Sequence, residues 1–280
     1  MFESPVKTRD LILFSFFSLM VAFFIFLFSF FDERTKIVFC NVGQGDGAYI
    51  RIKNKIDVII DAGPDKSILS CLGKYMPFWD REIELAFLSH PNNDHYNGYF
   101  FIADRYKIDK FITVDTASLI VSKTYKKLLQ KILNKKIKIE EAVAGKIIWP
   151  GFNILWPPKN FASNNDNDFS SVILFDGVLF TGDASPFVLG RLSHSTIGKV
   201  DILKVPHHGS KNGLIKKFLD LADPSTVVIS VGKNNSYGHP HQKILDMLKA
   251  KNVKIRRTDE EGDITFKIPS SKFKNTNNIQ

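Results

Sequence analysis

The chain has 280 residues, and its 38 Lys and Arg against 29 Asp and Glu give a net charge of +9. About 245 residues follow an apolar N-terminal segment, and this length fits one large domain better than two small ones. The basic charge favours an anionic partner, either nucleic acid or an acidic membrane surface, although a generic lysine-rich surface explains it equally well. Two cysteines, Cys40 and Cys71, exclude a disulfide framework or a cysteine zinc site, and we predict buried thiols.

The first predicted element is a membrane span over residues 11–31, which contain nine phenylalanines and no charge. Such a helix can cross a bilayer core of about 30 Å at about 1.5 Å per residue. A cleaved signal peptide would have a shorter apolar region and a small-residue cleavage site, which residues 29–33 do not offer. Lys7 and Arg9 in the short tail 1–10 favour a cytoplasmic N-terminus. We therefore expect a single-pass protein of the cell membrane with an extracytoplasmic domain.

The rest of the chain alternates between predicted strands and helices. Early strands are joined by hairpin-like turns and later ones alternate with helices, which predicts two sheets packed face to face with helices outside. Residues 36–270 form this domain, residues 160–168 a mobile loop and residues 271–280 a flexible tail. The predicted strands are 36–40, 48–52, 58–61, 84–89, 111–114, 153–156, 171–175, 178–180, 202–205, 226–230, 253–256 and 263–267. The predicted helices are 66–75, 125–134, 186–194, 214–221 and 240–251.

Six of the seven histidines fall into three short clusters, in residues 90–95, 207–210 and 238–241. Each cluster follows a predicted strand, and aspartates lie nearby. Imidazole nitrogen and carboxylate oxygen suit zinc or manganese, and an open coordination position would hold an attacking water. The clusters therefore predict a metal-activated hydrolase.

Seven motifs occur in order along the chain: VFCNVGQGD at 38–46, IIDAG at 59–63, LSHPNNDH at 88–95, LFTGD at 179–183, LKVPHHGS at 203–210, the segment 230–240, and RTD at 257–259 with Gly262. Together they resemble the metallo-β-lactamase-fold domain of ComEC-type competence proteins. The resemblance covers residues 36–268 and implies an α/β fold, a four-layer αββα sandwich. ComEC proteins are multi-pass membrane proteins of DNA uptake, and their C-terminal domain resembles a metal-dependent nuclease. Only that domain and one preceding span are matched, so a separate DNA-uptake channel is a candidate partner.

Five residues are the predicted metal ligands. Asp94 and His95 are adjacent in a turn after a strand, so both can point into one pocket. The resemblance makes Asp183 a carboxylate that bridges two metal positions; an N-cap for the following helix is the alternative. Successive residues point in different directions, so one of His207 and His208 is a direct ligand, and we favour His208. His90 is the fifth predicted ligand, and it would serve the one of the two metal positions that has fewer ligands.

Three residues are predicted to take part in catalysis: Asp61, His207 and His239. The resemblance casts Asp61 as an orienting or water-handling carboxylate, and a simple turn aspartate is the alternative. His207 would face the substrate. His239 could contact phosphate or protonate a leaving oxygen, or instead cap the helix that follows Pro240. The loop 44–46 could hold a ligand by hydrogen bonds or serve only as a hairpin turn.

The resemblance also shows what the motif LSHPNNDH lacks: a full two-zinc site of the metallo-β-lactamase superfamily has a second histidine at the position of Asn92. We therefore expect either a single metal ion, or two ions of which the second is a hard ion such as Mn²⁺ whose coordination is completed by water and phosphate. The favoured hypothesis is a membrane-anchored metal-dependent phosphodiesterase that acts on DNA without sequence preference through its phosphates. Hydrolysis of another phosphoester, such as a phosphocholine or a nucleotide, is one alternative. A DNA-binding protein with a degenerate, non-catalytic site is the other.

Overall fold

The computed structural model describes residues 7–30 and 34–269, without the side chains of residues 25–30. The first helix, α1, covers Thr8–Phe30. No helix within these described residues combines the length and the apolar character needed to cross a membrane. Phe31, at the end of the predicted span, and the predicted tail 271–280 lie outside the described residues.

Two seven-stranded sheets form the domain. The first has the order β14-β1-β2-β3-β4-β5-β6 and the second β13-β12-β11-β10-β9-β8-β7. The strands of the first sheet are β1 Thr35–Phe39, β2 Gly47–Ile52, β3 Ile56–Ala62, β4 Glu82–Leu88, β5 Lys107–Thr113, β6 Lys138–Glu141 and β14 Ile264–Ile268. Those of the second are β7 Ile147–Ile148, β8 Phe152–Trp156, β9 Val172–Phe175, β10 Val178–Phe180, β11 Ile202–Lys204, β12 Thr226–Ile229 and β13 Lys254–Arg257.

Helices cover both outer faces of the two sheets. One apolar cluster fills the space between the sheets, a second lies between the first sheet and α2, α4 and α5, and a third between the second sheet and α6 to α9. The predicted sandwich of two sheets with helices outside is confirmed. The helices are α2 Ile68–Tyr75, α3 Asn93–Tyr96, α4 Gly98–Arg105, α5 Lys123–Asn134, α6 Pro186–Leu189, α7 His194–Ile197, α8 Lys216–Ala222, α9 Gln242–Ala250 and α10 Thr258–Glu261.

Parallel strands bring the functional loops to one end of the sandwich. Strands β3 to β6 are parallel to one another, and so are β10 to β13. The two sheets meet at this end, where the Ser171 amide donates to the Ser89 carbonyl (2.9 Å). Loops that follow the carboxyl ends of parallel strands are the usual position of sites in such sheets.

All twelve predicted strands are present within a few residues of their expected bounds. Two short strands, β6 and β7, and the helices α3, α4 and α10 were not predicted. The helix predicted over 186–194 is wrong, because the chain forms two short helices, α6 and α7, on either side of Gly190. The loop 160–168 is more structured than expected: Asp166–Phe169 form a 3₁₀ turn, and buried Asp168 accepts hydrogen bonds from Ser163 and Asn165.

The prediction of two buried thiols is wrong, because Cys40 and Cys71 form a disulfide. Cys40 follows β1, and Cys71 lies on the face of α2 that packs against the first sheet. This packing brings their Cα atoms to 5.8 Å, within the range that a disulfide requires. Counting cysteines could not reveal that two apolar elements would bring them together.

Candidate metal centre

Four of the predicted ligands converge at the carboxyl ends of the parallel strands. Asp94, His95, Asp183 and His208 each offer one donor atom, and these atoms lie within 4.8 Å of one another. The two histidines and Asp183 are buried, while Asp94 is partly exposed at the edge. The cluster joins both sheets, because Asp94 and His95 follow β4 whereas Asp183 and His208 follow β10 and β11.

Asp183 presents its two oxygens to two different positions. Oδ1 lies 3.3 Å from His95 Nε2 and 3.4 Å from His208 Nε2. Oδ2 lies 4.0 Å from His90 Nε2 and 3.7 Å from His207 Nε2. This carboxylate could therefore contribute to two adjacent cation positions, one on each side.

Three of four distances between ligand atoms at the first position match the spacing of a tetrahedral metal site, and the fourth, between His95 Nε2 and Asp94 Oδ2, is longer at 4.0 Å. Zn–N and Zn–O bonds of about 2.0–2.1 Å place neighbouring ligand atoms roughly 3.3–3.4 Å apart. His208 Nε2 lies 3.4 Å from Asp94 Oδ2 and from Asp183 Oδ1, and His95 Nε2 lies 3.3 Å from Asp183 Oδ1. The Nε2 atoms of both histidines and Asp183 Oδ1 are buried, and among the described side chains they have no hydrogen-bond partner. Buried polar atoms need partners, so this pocket fits a divalent cation.

The second position has fewer donors. His90 Nε2 is also buried without a hydrogen-bond partner, yet the compact donor groups found among the described residues do not include it. Asn92 instead donates to Asn167 Oδ1 (3.4 Å), and the Asn167 amide lies 3.4 Å from His207 Nδ1. Neutral amides thus occupy the region where the sequence lacks a second histidine. Asn167 was not predicted as part of the site.

Hydrogen bonds to Asp61 and to the Ser230 carbonyl hold the two histidines of the cluster, and Asp46 lies beside His208. The Nδ1 of His95 donates to Asp61 Oδ2 (2.8 Å), and Asp61 also accepts from the amide and hydroxyl of Ser89 (both 2.7 Å). The Nδ1 of His208 lies 3.2 Å from Asp46 Oδ1 and 3.0 Å from the Ser230 carbonyl. These contacts direct both Nε2 atoms into the pocket, the arrangement that orients histidine ligands in metal sites.

A buried lysine completes this layer. Lys204 forms an ion pair with Asp46, and its Nζ donates to the Gly182 carbonyl (3.0 Å). Its strand β11 is otherwise apolar, so the ammonium group lies between the sheets and is only 3 % exposed. A lysine within such a strand is a signal that sequence reasoning could have used, and it was missed. It balances the charge of Asp46 and fixes the carboxylate that holds His208.

The local backbone that carries the ligands is strained. Asp61, His207 and His208 all have a left-handed φ, of 56°, 50° and 53°. Such residues each cost about 1–3 kcal/mol and are found most often at functional sites. Close packing also requires glycine: a Cβ on Gly98 would lie 1.9 Å from the Ala62 carbonyl oxygen, and one on Gly45 would lie 2.3 Å from the Asp94 carbonyl oxygen.

The carboxylates make the pocket strongly attractive to positive charge. Burial opposes protonation of His95, but Asp183, Asp61 and Asp94 together raise its pKa well above the ordinary value. Burial likewise opposes protonation of His208, and Asp183 and Asp46 raise its pKa to about 9. By contrast, burial and the charge of His95 lower the pKa of His90 to about 3. A pocket that holds protons this firmly also favours a cation, which would displace them on binding.

The mouth of the pocket carries His207 and His239. The exposed ring of Tyr237 stacks on His239 with ring centroids 5.7 Å apart, and His239 lies 5.9 Å from the His207 ring. Gln44 connects this wall to the β1–β2 loop: its Oε1 accepts from the Gly232 amide (3.1 Å), and its Nε2 lies 3.4 Å from His239 Nδ1. Every predicted ligand and catalytic residue thus lies in or beside one pocket, and the individual roles remain predictions.

Residues 41–233 match the family model of the metallo-β-lactamase superfamily, which is more than half of the chain. The chain therefore belongs to this superfamily.

Within it, the chain is similar to competence proteins, as the motifs predicted. ComE operon protein 3 of Bacillus subtilis is 26 % identical over 276 residues, covering 88 % of this chain and 35 % of the relative. Recombination protein 2 of Haemophilus influenzae is 29 % identical over 261 residues, and the match covers 89 % of this chain and 31 % of the relative. The chain spans about a third of the length of these relatives.

Solved structures show the same fold at low sequence identity. A CmlA β-hydroxylase E377D mutant superposes with a TM-score of 0.57 at 13 % identity, covering 84 % of this chain and 54 % of that one. Igni18, a metallo hydrolase from Ignicoccus hospitalis, superposes with a TM-score of 0.53 at 17 % identity, and the match covers 84 % of this chain and 100 % of that one. These similarities support the two-sheet sandwich.

We expect Asp61→Asn to weaken metal binding about 10- to 100-fold, because asparagine cannot accept the His95 Nδ1 proton with a charged oxygen. Asparagine tolerates the left-handed φ at this position, so the backbone should remain in place. Zinc affinity would be measured by competition with a chromophoric chelator. Asp57→Asn is the matched control, since Asp57 is also buried in β3 but binds Arg51 far from the pocket. Equal zinc affinity in both variants would show that Asp61 does not position the ligand.

Proposed function

We propose that this protein is a membrane-anchored, metal-dependent phosphodiesterase that cleaves DNA without sequence preference. The observation that carries the proposal is the group of buried Nε2 and carboxylate atoms that face one pocket with the spacing of metal ligands. The named relatives support a role connected with DNA, because one is called a recombination protein, and the other is named as a protein of the ComE operon. A separate DNA-uptake channel as partner belongs to the same proposal.

His95, His208, Asp94 and Asp183 would hold the first cation, Zn²⁺ or Mn²⁺, and His90 with Asp183 Oδ2 would contribute to a second. A divalent cation at such a site supplies Lewis acidity, which lowers the pKa of water and stabilises charge on a phosphoryl oxygen. Asp61 and the Ser230 carbonyl accept the Nδ1 protons of His95 and His208, so that both Nε2 atoms remain available. His207 and His239 line the mouth, where their imidazoles can contact a phosphoryl oxygen or pass a proton to the leaving oxygen.

The surface around the pocket suits a single-stranded nucleic acid. Tyr237 is 66 % exposed at the rim, and its stacking on His239 presents a flat aromatic face towards solvent. Bases stack on such faces regardless of sequence. Lys211 and Lys233 are exposed on the two loops that border the pocket, where they can contact phosphates. A small phosphoester such as a phosphocholine would not need this platform.

Two features support an extracytoplasmic domain held at the membrane. Residues 11–31 contain no charge, and Lys7 and Arg9 precede them. The disulfide between Cys40 and Cys71 is an independent argument, because such bonds persist in oxidising compartments outside the cytoplasm. A reporter fused after Gln280 should therefore be active on the extracytoplasmic side.

The function is tested with the full chain in detergent, supplied with Mn²⁺ or Zn²⁺ and labelled single- and double-stranded DNA of several sequences. We expect cleavage of every sequence, loss of cleavage on chelation, and recovery when metal is returned. The Tyr237→Leu variant should raise the KM for single-stranded DNA about tenfold at unchanged kcat, because base stacking contributes about 1–3 kcal/mol, while Tyr237→Phe retains it.

Two other outcomes would contradict the proposal. Salt-sensitive DNA binding without cleavage, across several metals and pH values, would make the protein a DNA-binding protein with a degenerate site. Cleavage of a phosphocholine ester or a nucleotide without cleavage of DNA would show that the substrate is another phosphoester.

A further inference from the structure

The end of the sandwich opposite the metal centre is formed by the start of β1 and by several turns. Lys36 at the start of β1 pairs with Arg51, close to the β2–β3 turn of residues 53–55. Residues 77–81 lead into β4, whose other end leads to His90. In the second sheet, β7 and β8 pair through Ile148 and Phe152, so their turn 149–151 lies at this end too. We call these three turns and the start of β1 the distal end.

Exposed aromatic side chains are concentrated at the distal end. Phe78, Trp79 and Trp149 are 80 %, 64 % and 66 % exposed. Within residues 34–269, the other aromatic side chain with comparable exposure is Tyr237, at the metal centre. The rings of Phe78 and Trp79 lie edge to face with centroids 4.9 Å apart. Large aromatic side chains this exposed in one region are typical of a surface that contacts a partner or a membrane.

The charge of the distal end is basic. The three turns and the start of β1 carry four basic residues, Lys36, Lys53, Lys55 and Arg81, and one carboxylate, Asp80, which is ion-paired with Arg51. Lys55 in the β2–β3 turn and Arg81 beside Trp79 are both exposed. Basic residues next to exposed tryptophans complement an anionic lipid surface, where aromatic rings occupy the headgroup region.

The connection to α1 brings this end close to the membrane. Helix α1 ends at Phe30 and β1 begins at Thr35, so the two are five residue steps apart. Five extended steps span at most roughly 18 Å. If residues 11–31 anchor the chain, as proposed above, the distal end must lie near the bilayer surface, and the metal centre lies at the other end of the sandwich.

We propose that the distal end docks on the anionic phospholipid surface, with Phe78, Trp79 and Trp149 in the headgroup region. This inference rests on the proposed membrane anchor and adds an orientation to it. The metal centre faces away from the bilayer, open to a DNA strand in the aqueous phase. The occupant is lipid rather than protein, because tryptophan with lysine and arginine is the combination that a headgroup layer favours.

The test uses the full chain in vesicles of phosphatidylcholine and phosphatidylglycerol, with and without brominated acyl chains. Trp149→Phe leaves Trp79 as the exposed tryptophan above the constant background of buried Trp156. We expect brominated lipid to quench about half of the Trp79 emission in this variant. In the Trp79→Phe variant, which retains Trp149, the Trp149 emission should be quenched to a similar extent. The matched control carries Tyr237→Trp together with Trp79→Phe and Trp149→Phe, and its emission should be unchanged by brominated lipid.

Anchoring is measured first, by flotation of the vesicles after alkaline carbonate extraction. Release of the chain would overturn the proposed anchor and is distinct from a failure of docking. A chain that floats but whose Trp79 and Trp149 remain unquenched would overturn the lipid contact and indicate a protein partner for these residues. Quenching of the Tyr237→Trp control alone would reverse the orientation.

Discussion

The His95→Ala variant is expected to lose its bound metal and its hydrolytic activity together. His95 is predicted to supply a ligand atom to the first position, its Nδ1 donates to Asp61, and its Nε2 lies near both Asp94 and Asp183. Its loss should lower activity by more than the roughly 10- to 100-fold typical of a residue that only orients a ligand. Metal content would be measured by elemental analysis of the purified protein, and activity with the DNA substrates.

Three further variants test this expectation. Asp94→Ala removes a partly exposed ligand without opening a large buried cavity, so it should also abolish metal binding in a fully folded chain. His194→Ala is the matched control, because His194 is exposed at the start of α7 outside the pocket. His90→Ala should have a smaller effect, since His90 faces the second position. Full retention of metal by both His95→Ala and Asp94→Ala would contradict the assignment of the centre.

Reduction of the disulfide between Cys40 and Cys71 is expected to lower the free energy of unfolding by about 4 kcal/mol. The bond joins residues 31 positions apart, and releasing a loop of that length restores this much entropy to the unfolded chain. Stability would be measured by denaturant unfolding with and without a phosphine reductant. The double variant Cys40→Ser, Cys71→Ser should match the reduced protein and be insensitive to reductant.

A reductant that leaves the unfolding midpoint of the native chain unchanged would show that the thiols are not linked. The same measurement on protein from the cell also bears on its compartment. Protein isolated with free thiols trapped by alkylation would argue against the proposed extracytoplasmic domain, because the cytoplasm keeps thiols reduced.

Local patterns were sufficient for the strands and for the ligand types. The twelve predicted strands depend on runs of Val, Ile and Phe, and burial of such runs is driven by their own hydrophobicity. The short helices α3 and α4 were missed because the turn before Gly98 and the packing of Ile102 on the sheet, rather than local periodicity, hold them. In the same way, Pro186 starts a helix that the sequence cannot continue past Gly190.

The clustering of histidines next to aspartates was sufficient by itself to predict the donor atoms of a divalent-metal site. The tertiary structure alone decided which of these atoms meet. Only the packing of the two sheets brings Asp183 and His208 from the second to Asp94 and His95 of the first, and only this packing buries Lys204 against Asp46. Contacts between residues so far apart in the chain depend on how whole sheets and helices pack. No local pattern encodes that packing, and the disulfide between Cys40 and Cys71 was missed for the same reason.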